Sequence, residues 1–232
     1  MTDLDPRAAM TKKLWKNSLL IAGGIGAFFV LYVSILDGPF TLVSFAKVMA
    51  GMANFLFAMS LSLSSFGYFY NFLDSKIVYR KYFGLLGYFA ALSYTLLLLV
   101  LRPERYLFGF SEYFWTSDIL LGLAAMGIFT GMALISNDRA MLMIGPARWR
   151  NLLRLGYVAF FLLVVRAVMN ESNPIGADPK PEYWMAYFQS LDTLPPTRLL
   201  FSVVAMTVIF FRLAVEFDKY RKRVTAPTPN LP

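Results

Sequence analysis

Residues 18–36 read SLLIAGGIGAFFVLYVSIL, an uncharged and almost wholly apolar stretch that decides the class of fold. Lys12, Lys13 and Lys16 stand just before this stretch, and Asp37-Gly38-Pro39 ends it. The hydrocarbon core of a bilayer is about 30 Å thick, and a helix of about 20 apolar residues crosses it. The stretch therefore predicts a membrane-spanning helix. Because it lacks the small-residue cleavage site of a signal peptide, we expect this helix to be retained.

The composition of the whole chain agrees with a membrane location. Hydrophobic residues make up 58% of the 232 residues and charged residues only 16%, with a mean hydropathy of +0.56. Soluble proteins average about 45–50% apolar residues. The net charge of +8 does not indicate nucleic-acid binding, because the basic residues alternate with apolar runs instead of forming one patch. The absence of cysteine excludes a disulfide scaffold.

Five further stretches resemble the first in length and hydropathy, so the chain contains six predicted spans. They cover residues 18–36, 48–66, 82–101, 119–135, 152–169 and 199–215. We therefore predict an all-α integral membrane protein, a bundle of six transmembrane helices that occupies residues 18–217. A short segment, 1–17, precedes the bundle, and a basic, proline-rich tail, 218–232, follows it.

The Lys and Arg residues of the loops predict the orientation of the bundle, because cytoplasmic loops carry an excess of these residues. In this chain they concentrate in segment 1–17, in the loops after the second and fourth spans, and in the tail. With six spans these four segments lie on one side, so we expect both termini in the cytoplasm. On the opposite side, residues 106–115 and 183–188 are rich in Tyr, Phe and Trp. They are predicted to anchor the chain in the headgroup layer, with a lid over an outward-facing cavity as the alternative.

Several segments between residues 45 and 170 carry a resemblance to a known family. They are SLSL at 60–63, YRKYFGLL at 79–86, SDILLGL at 117–123, ALISN at 133–137 and RWRNLLRLGY at 148–157. The last segment is the most specific, because it resembles the W-x-x-L-H-R-L-x-Y entrance to the fifth helix of that family. The chain resembles the ferric-reductase-like transmembrane domain family, which includes the haem-binding membrane subunit of the bacterial methionine sulfoxide reductase system. We accordingly expect the plasma membrane, the inner membrane of a bacterium, as its location.

The resemblance implies haem held by paired histidines, and the chain departs from the family at those positions. The positions hold Leu153 and Arg166 on the fifth span and Ser93 or Tyr94 on the third, and the sequence contains no histidine. Leucine has no ligand atom and arginine stays protonated, so residue type excludes bis-histidine haem and no cofactor is predicted. Haem held by Met or Tyr stays an alternative, although Met is also an ordinary filler of apolar interfaces. The spans contain almost no Asp or Glu for a metal site.

Two groups of basic residues are candidates for binding. Arg166 lies within the predicted fifth span, where charge is costly and often functional. It either extends outward and pairs with Glu171 or Asp118, or binds an anionic group. Arg148, Trp149 and Arg150 form a candidate contact for a partner protein or for anionic lipid, although membrane topology alone also accounts for their charges.

These observations favour a haem-free, non-catalytic protein that acts as a scaffold or partner-binding subunit of a membrane complex. The expected partners are the lipid bilayer and other membrane subunits, and no catalytic constellation predicts an enzyme. The alternative is a transmembrane electron-transfer subunit that uses an atypical haem ligand or a cofactor supplied by a partner. A solute transporter is a third possibility, which calls for interrupted helices or a polar path, and the sequence shows little of either.

Overall fold

The computed structural model describes residues 6–70, 76–172 and 194–225, and every regular element within them is helical. This confirms the all-α class predicted from the sequence. In chain order the helices are α1 (Pro6–Asp37), α2 (Leu42–Phe69), α3 (Tyr79–Leu101), α4 (Phe110–Tyr113), α5 (Ser117–Leu134), α6 (Asp138–Ile144), α7 (Pro146–Ser172) and α8 (Thr197–Thr225). A π-helical turn, Glu104–Phe108, precedes α4. The predicted anchor at 183–188 and the end of the tail lie outside the described residues.

Four helices are long and apolar enough to cross a membrane: Ala8–Asp37 of α1, all of α2, all of α3, and Leu199–Thr225 of α8. The predicted fourth span corresponds to a shorter apolar helix, Ile119–Leu134 of α5. The predicted fifth span lies in α7. Within the described part of the chain, α7 is not one of the four helices that are long and apolar enough to cross a membrane. Four of the predicted spans are therefore long apolar helices in the structure, which supports a membrane protein. The count of six spans stays a prediction.

The start of α2 differs from the prediction for a local reason. The helix begins at Leu42, ahead of the predicted start at residue 48, because Thr41 caps it. The Thr41 side-chain oxygen accepts a hydrogen bond from the backbone N–H of Ser44 at 3.2 Å, which satisfies one of the unpaired donors at a helix start. Lys47, which hydropathy alone excludes from a span, lies inside the helix and pairs with Asp37 of α1 at 2.7 Å.

Contacts between helix ends show that the helices alternate in direction. Asn17 of α1 donates a hydrogen bond to the Tyr79 hydroxyl of α3 at 2.9 Å, so these two helices start at the same end. Tyr68 of α2 donates to Asp218 of α8 at 2.7 Å, so these two helices finish there. We call this end the basic end. Its described basic residues are Lys12, Lys13, Lys16, Lys76, Arg80, Lys81, Arg139, Arg148, Arg154, Arg212, Lys219, Arg221, Lys222 and Arg223.

Helix α2 lies at the centre of the bundle. In the apolar, membrane-length stretch of α2, 44% of the residues are buried. The corresponding stretches of α1, α3 and α8 have 22%, 11% and 28% of their residues buried. Its Phe57 ring stacks on Phe129 of α5, with centroids 3.9 Å apart, and meets the edge of Phe160 of α7 at 6.4 Å. The same buried cluster contains alanines of α2, α3, α5, α7 and α8: Ala53, Ala58, Ala90, Ala125, Ala159 and Ala205. Small residues at these contacts let the helix backbones approach closely.

Buried serines of α2 connect it to two of its neighbours. The sequence predicts a polar seam along α2 from Asn54, Ser60, Ser62, Ser64 and Ser65. The side chains of Ser60 and Ser65 are buried. Ser60 donates a hydrogen bond to the backbone carbonyl of Arg80 in α3 at 2.8 Å. The Ser65 hydroxyl lies 3.4 Å from the hydroxyl of Tyr157 in α7. These contacts agree with a packing role for the seam, since hydroxyl groups in spans commonly bond between helices.

Helix α1 packs on α2 at a glycine. Phe29 and Val33 of α1 are fully buried against Val48 of α2. The Phe29 ring lies so close to Gly51 that a β-carbon at this position would come within 2.7 Å of it. Glycine is therefore required at 51 by this contact between α1 and α2.

We predict that Gly51→Ala destabilises the protein, because a methyl group there would clash with Phe29. Overpacking of this kind typically costs about 1–3 kcal/mol. Thermal unfolding of the detergent-solubilised protein should show a lower midpoint. Gly23→Ala is the matched control on α1, since nothing lies within 4 Å of a β-carbon at that position. Equal midpoints for the two variants would contradict the close contact.

Candidate functional site

The basic end contains a rigid corner where α5, α6 and α7 meet. Trp149 of α7 donates its indole N–H to the backbone carbonyl of Ile135 at 2.9 Å, next to the last turn of α5. Asn137 donates to the carbonyl of Leu134 at 2.8 Å and accepts from the N–H of Ala140 at 2.7 Å, which caps α6. These bonds satisfy backbone groups that the helix ends leave open.

A glycine makes the turn from α6 into α7 possible. Gly145 has a φ of 87°, a conformation that residues with a β-carbon rarely adopt. Pro146 then begins α7, a position where its missing N–H carries no penalty. The corner formed by residues 134–149 is therefore fixed by specific local chemistry.

Two apolar side chains project from this corner. Leu142 and Met143 are 79% and 87% exposed, and Arg139 and Arg148 beside them in the chain are also exposed. Trp149, in contrast, is half-buried and makes the hydrogen bond to Ile135. Among the predicted contact residues, the structure therefore presents Arg148 and gives Trp149 a structural contact. The side chain of Arg150 is outside the described part of α7.

The exposed Leu142 and Met143 were not among the sites predicted from the sequence. Their signal is an apolar run, MLMI at 141–144, inside a segment assigned to a basic loop. This run is too short to be a membrane span, so the sequence pattern left it within the loop. The pattern does not show whether such a short apolar run is exposed.

A second group at the basic end surrounds Tyr157 of α7. The Arg212 guanidinium of α8 lies 5.5 Å from the centre of the Tyr157 ring, a cation–π contact. The Tyr157 hydroxyl donates to the carbonyl of Leu61 in α2 at 2.9 Å. Arg80 of α3 is half-buried, and the charges of Arg154 and Arg212 lie within electrostatic range of it. Arg80 and Arg212 thus both interact with Tyr157, and Arg154 lies close to Arg80.

This arginine group carries an excess of positive charge. Within the described residues, Glu216 of α8 is the carboxylate in contact with it. Glu216 forms ion pairs with Arg212 and with Lys219, the latter at 3.5 Å. Arg154 also interacts electrostatically with Glu216. The remaining charge creates a positive potential that attracts anionic groups to this end of the bundle.

The end of α8 is attached to the end of α2. Lys222 pairs with Asp218 at 2.7 Å. The ammonium groups of Lys219 and Lys222 lie 5.3 and 5.2 Å from the centre of the Tyr68 ring of α2. This part of the tail is therefore ordered against the bundle by its own charges.

Arg166, the other predicted site, lies elsewhere in the bundle. Its guanidinium packs against Gly122 of α5, where a β-carbon would lie 3.1 Å from Nη1. The side chains of its predicted partners, Asp118 and Glu171, are outside the described part of the structure. Arg166 is separated from Arg148 along α7 by about 27 Å, at 1.5 Å per residue. The structure therefore does not bring the two predicted basic groups together.

The structure places the positions that match the haem ligands of the family on α3 and α7. Leu153 is buried and offers no donor atom. Tyr94 lies in the second half of α3, whereas the buried residues of that helix fall between positions 82 and 90. Arg166 packs on α5. The interior between α2, α5 and α7 is filled by the stacked rings of the central cluster. No group of three potential metal-binding His, Cys, Asp or Glu residues occurs in residues 6–70, 76–172 and 194–225.

No protein-family model matches the chain, and no curated protein matches it. The resemblance to the ferric-reductase-like family therefore stays a prediction from the sequence segments that carry it. The function is inferred from the residues of the basic end and of the bundle interior.

We predict that Gly122→Ala is less favourable for the thermal unfolding midpoint when Arg166 is present than in an Arg166→Ala background, where only the gain in helix propensity remains. The added methyl group displaces the guanidinium only where one exists. Residues in contact commonly show coupling energies of about 0.5–3 kcal/mol. Gly127→Ala, also on α5 and with nothing within 4 Å of its β-carbon, is the control and should behave alike in both backgrounds. An equal effect of Gly122→Ala in the two backgrounds would show that Arg166 does not lie over Gly122.

Proposed function

We propose that this chain is a haem-free, non-catalytic membrane protein of the ferric-reductase-like type. In this proposal it acts as a scaffold, binding another membrane subunit at its basic end. It crosses the plasma membrane, the inner membrane of a bacterium, six times, and the basic end faces the cytoplasm with both termini.

The packing of α5 and α7 supports six spans. Phe129 of α5 and Phe160 of α7 are buried in the same cluster as Phe57 of α2 and Val208 of α8. Helices that share the core of a membrane bundle with spanning neighbours lie at the same depth. The concentration of Lys and Arg at one end supports the cytoplasmic orientation through the positive-inside rule.

The single observation that carries the partner-binding role is the exposed pair Leu142 and Met143 on a rigid corner. Interfaces combine an apolar centre with a polar rim, and Arg139 and Arg148 supply a basic rim here. The corner is also held by the Trp149 and Asn137 hydrogen bonds, so little ordering is lost when a partner binds. The matching partner surface is an apolar pocket edged by carboxylates, because complementary charge speeds and orients the encounter.

Residue type and packing support the proposal that this chain carries no haem and transfers no electrons. The positions that the family resemblance assigns to ligands hold Leu153, Arg166 and Tyr94. The core between α2, α5 and α7 is occupied by Phe57, Phe129 and Phe160, with Phe160 fully buried. A porphyrin would displace these rings, and close-packed interiors resist such insertion.

We expect Leu142→Ser combined with Met143→Ser to abolish co-purification of the partner subunit with the affinity-tagged chain. The thermal midpoint of the chain itself should stay unchanged, since exposed side chains contribute little to folding. Leu213→Ser is the matched control, because Leu213 is 63% exposed on α8 and distant in the chain from the corner. Retention of the partner by the double variant, or the absence of any stoichiometric partner with the unmodified chain, would overturn this role.

The absorption spectrum of the purified chain tests the haem-free part of the proposal. We expect no Soret band, because no histidine or cysteine is present to bind the iron. A Soret band from the isolated chain would contradict the proposal and favour an electron-transfer subunit with a Met or Tyr ligand. A band that occurs only in the complex would assign the cofactor to the partner.

A further inference from the structure

A groove lies between α1, α2 and α3 at the basic end. Its volume is about 460 Å³, within the range of about 300–1,000 Å³ that is usual for ligand sites. Leu20 and Ile21 of α1 form one wall, and Met59 and Leu63 of α2 form another. Phe83 of α3 also lines it and belongs to a buried cluster with Ala22 and Leu56. The floor of the groove is therefore part of the packed core and is already formed.

The polar residues of this groove belong to the basic end. Lys76 lines the groove and is exposed just before α3. Asn17 and Tyr79 also line it and are joined by their 2.9 Å hydrogen bond. The groove thus has apolar walls along the helices and polar groups at the basic end.

A second groove adjoins the first along α1. Its volume is about 490 Å³, and Lys12, Trp15, Lys16, Leu19 and Leu20 line it. Leu20 lines both grooves and so forms the ridge between them. Trp15 is fixed by an edge-on contact with Tyr82 of α3, with ring centroids 5.1 Å apart. Two apolar grooves therefore share one ridge and one cationic end.

We propose that these grooves bind one anionic phospholipid. A phospholipid has two acyl chains and one phosphate, which matches two adjoining apolar grooves with cations at a common end. Lys12, Lys16 and Lys76 contact the phosphate region, and the chains lie on either side of Leu20. Basic pockets between helices at the cytoplasmic surface are a recognised form of lipid site.

Charge complementarity selects an anionic lipid over a neutral one. A zwitterionic headgroup has no net charge to balance the three lysines, because its own cation offsets its phosphate, whereas a phosphatidylglycerol headgroup carries a full negative charge. Each lysine near an anionic headgroup contributes about fivefold to binding, from about 1 kcal/mol per basic residue. The three lysines lie on α1 and just before α3, whereas the proposed partner surface lies on α6. Lipid binding and partner binding therefore use different residues.

Quenching of Trp15 fluorescence by brominated lipids tests this site. The full chain is reconstituted in phosphatidylcholine vesicles that contain a small fraction of lipid brominated in its acyl chains. The brominated lipid is either phosphatidylglycerol or phosphatidylcholine. Subtracting the quenching of a Trp15→Phe variant isolates the Trp15 contribution. We expect brominated phosphatidylglycerol to reach half-quenching at a molar fraction at least about fivefold lower than brominated phosphatidylcholine.

Two lysine variants distinguish the grooves from general surface charge. The triple variant Lys12→Gln, Lys16→Gln and Lys76→Gln should lose the preference for phosphatidylglycerol. Lys13→Gln removes a charge from the same segment, but Lys13 lines neither groove, so the preference should be kept. Equal quenching by the two lipids in the unmodified chain would overturn the proposal. A preference that persists in the triple variant, or that Lys13→Gln removes, would also overturn it.

Discussion

The close approach of neighbouring helices to α2 is the contact on which the bundle depends. Gly51 lets Phe29 of α1 lie directly on the backbone of α2, and Gly87 of α3 meets Leu56 and Phe57 in the same way. In lipid there is no hydrophobic gain from burying one apolar helix against another, so van der Waals contact and hydrogen bonds must hold them. The stack of Phe57 on Phe129 extends that contact to α5.

Charged side chains at the basic end add contacts between helices to those made by packing. The basic residues collect at one end because the helices alternate, and several of them are then used inside the structure. Arg212 lies over Tyr157 and pairs with Glu216, and Lys222 lies over Tyr68 and pairs with Asp218. The basic residues from which we predict the membrane topology therefore also join α8 to α2 and α7.

The sequence predicted the helical class and the approximate positions of the four membrane-length helices, because long apolar runs have few other solutions. It did not predict that Trp149 closes the corner through Ile135, since that bond joins residues fourteen positions apart across two turns. Nor did it predict that Gly122 accommodates Arg166, which depends on how α5 and α7 face each other. The exposed pair Leu142 and Met143 was missed because apolar letters look alike whether they face lipid, a partner or the core.

At the end of the bundle opposite the basic end, the Tyr32 hydroxyl of α1 donates a hydrogen bond to the carbonyl of Pro195, just before α8. Phe201 of α8 meets the edge of Phe29 just below it. Because α8 follows α1 and α2 in the chain, the faces of α1 and α2 that it covers stay uncovered until α8 has been synthesised. The contacts of α8 with α1 and α2 thus form late in the assembly of the bundle. Until then, membrane chaperones and proteases can recognise an incomplete chain.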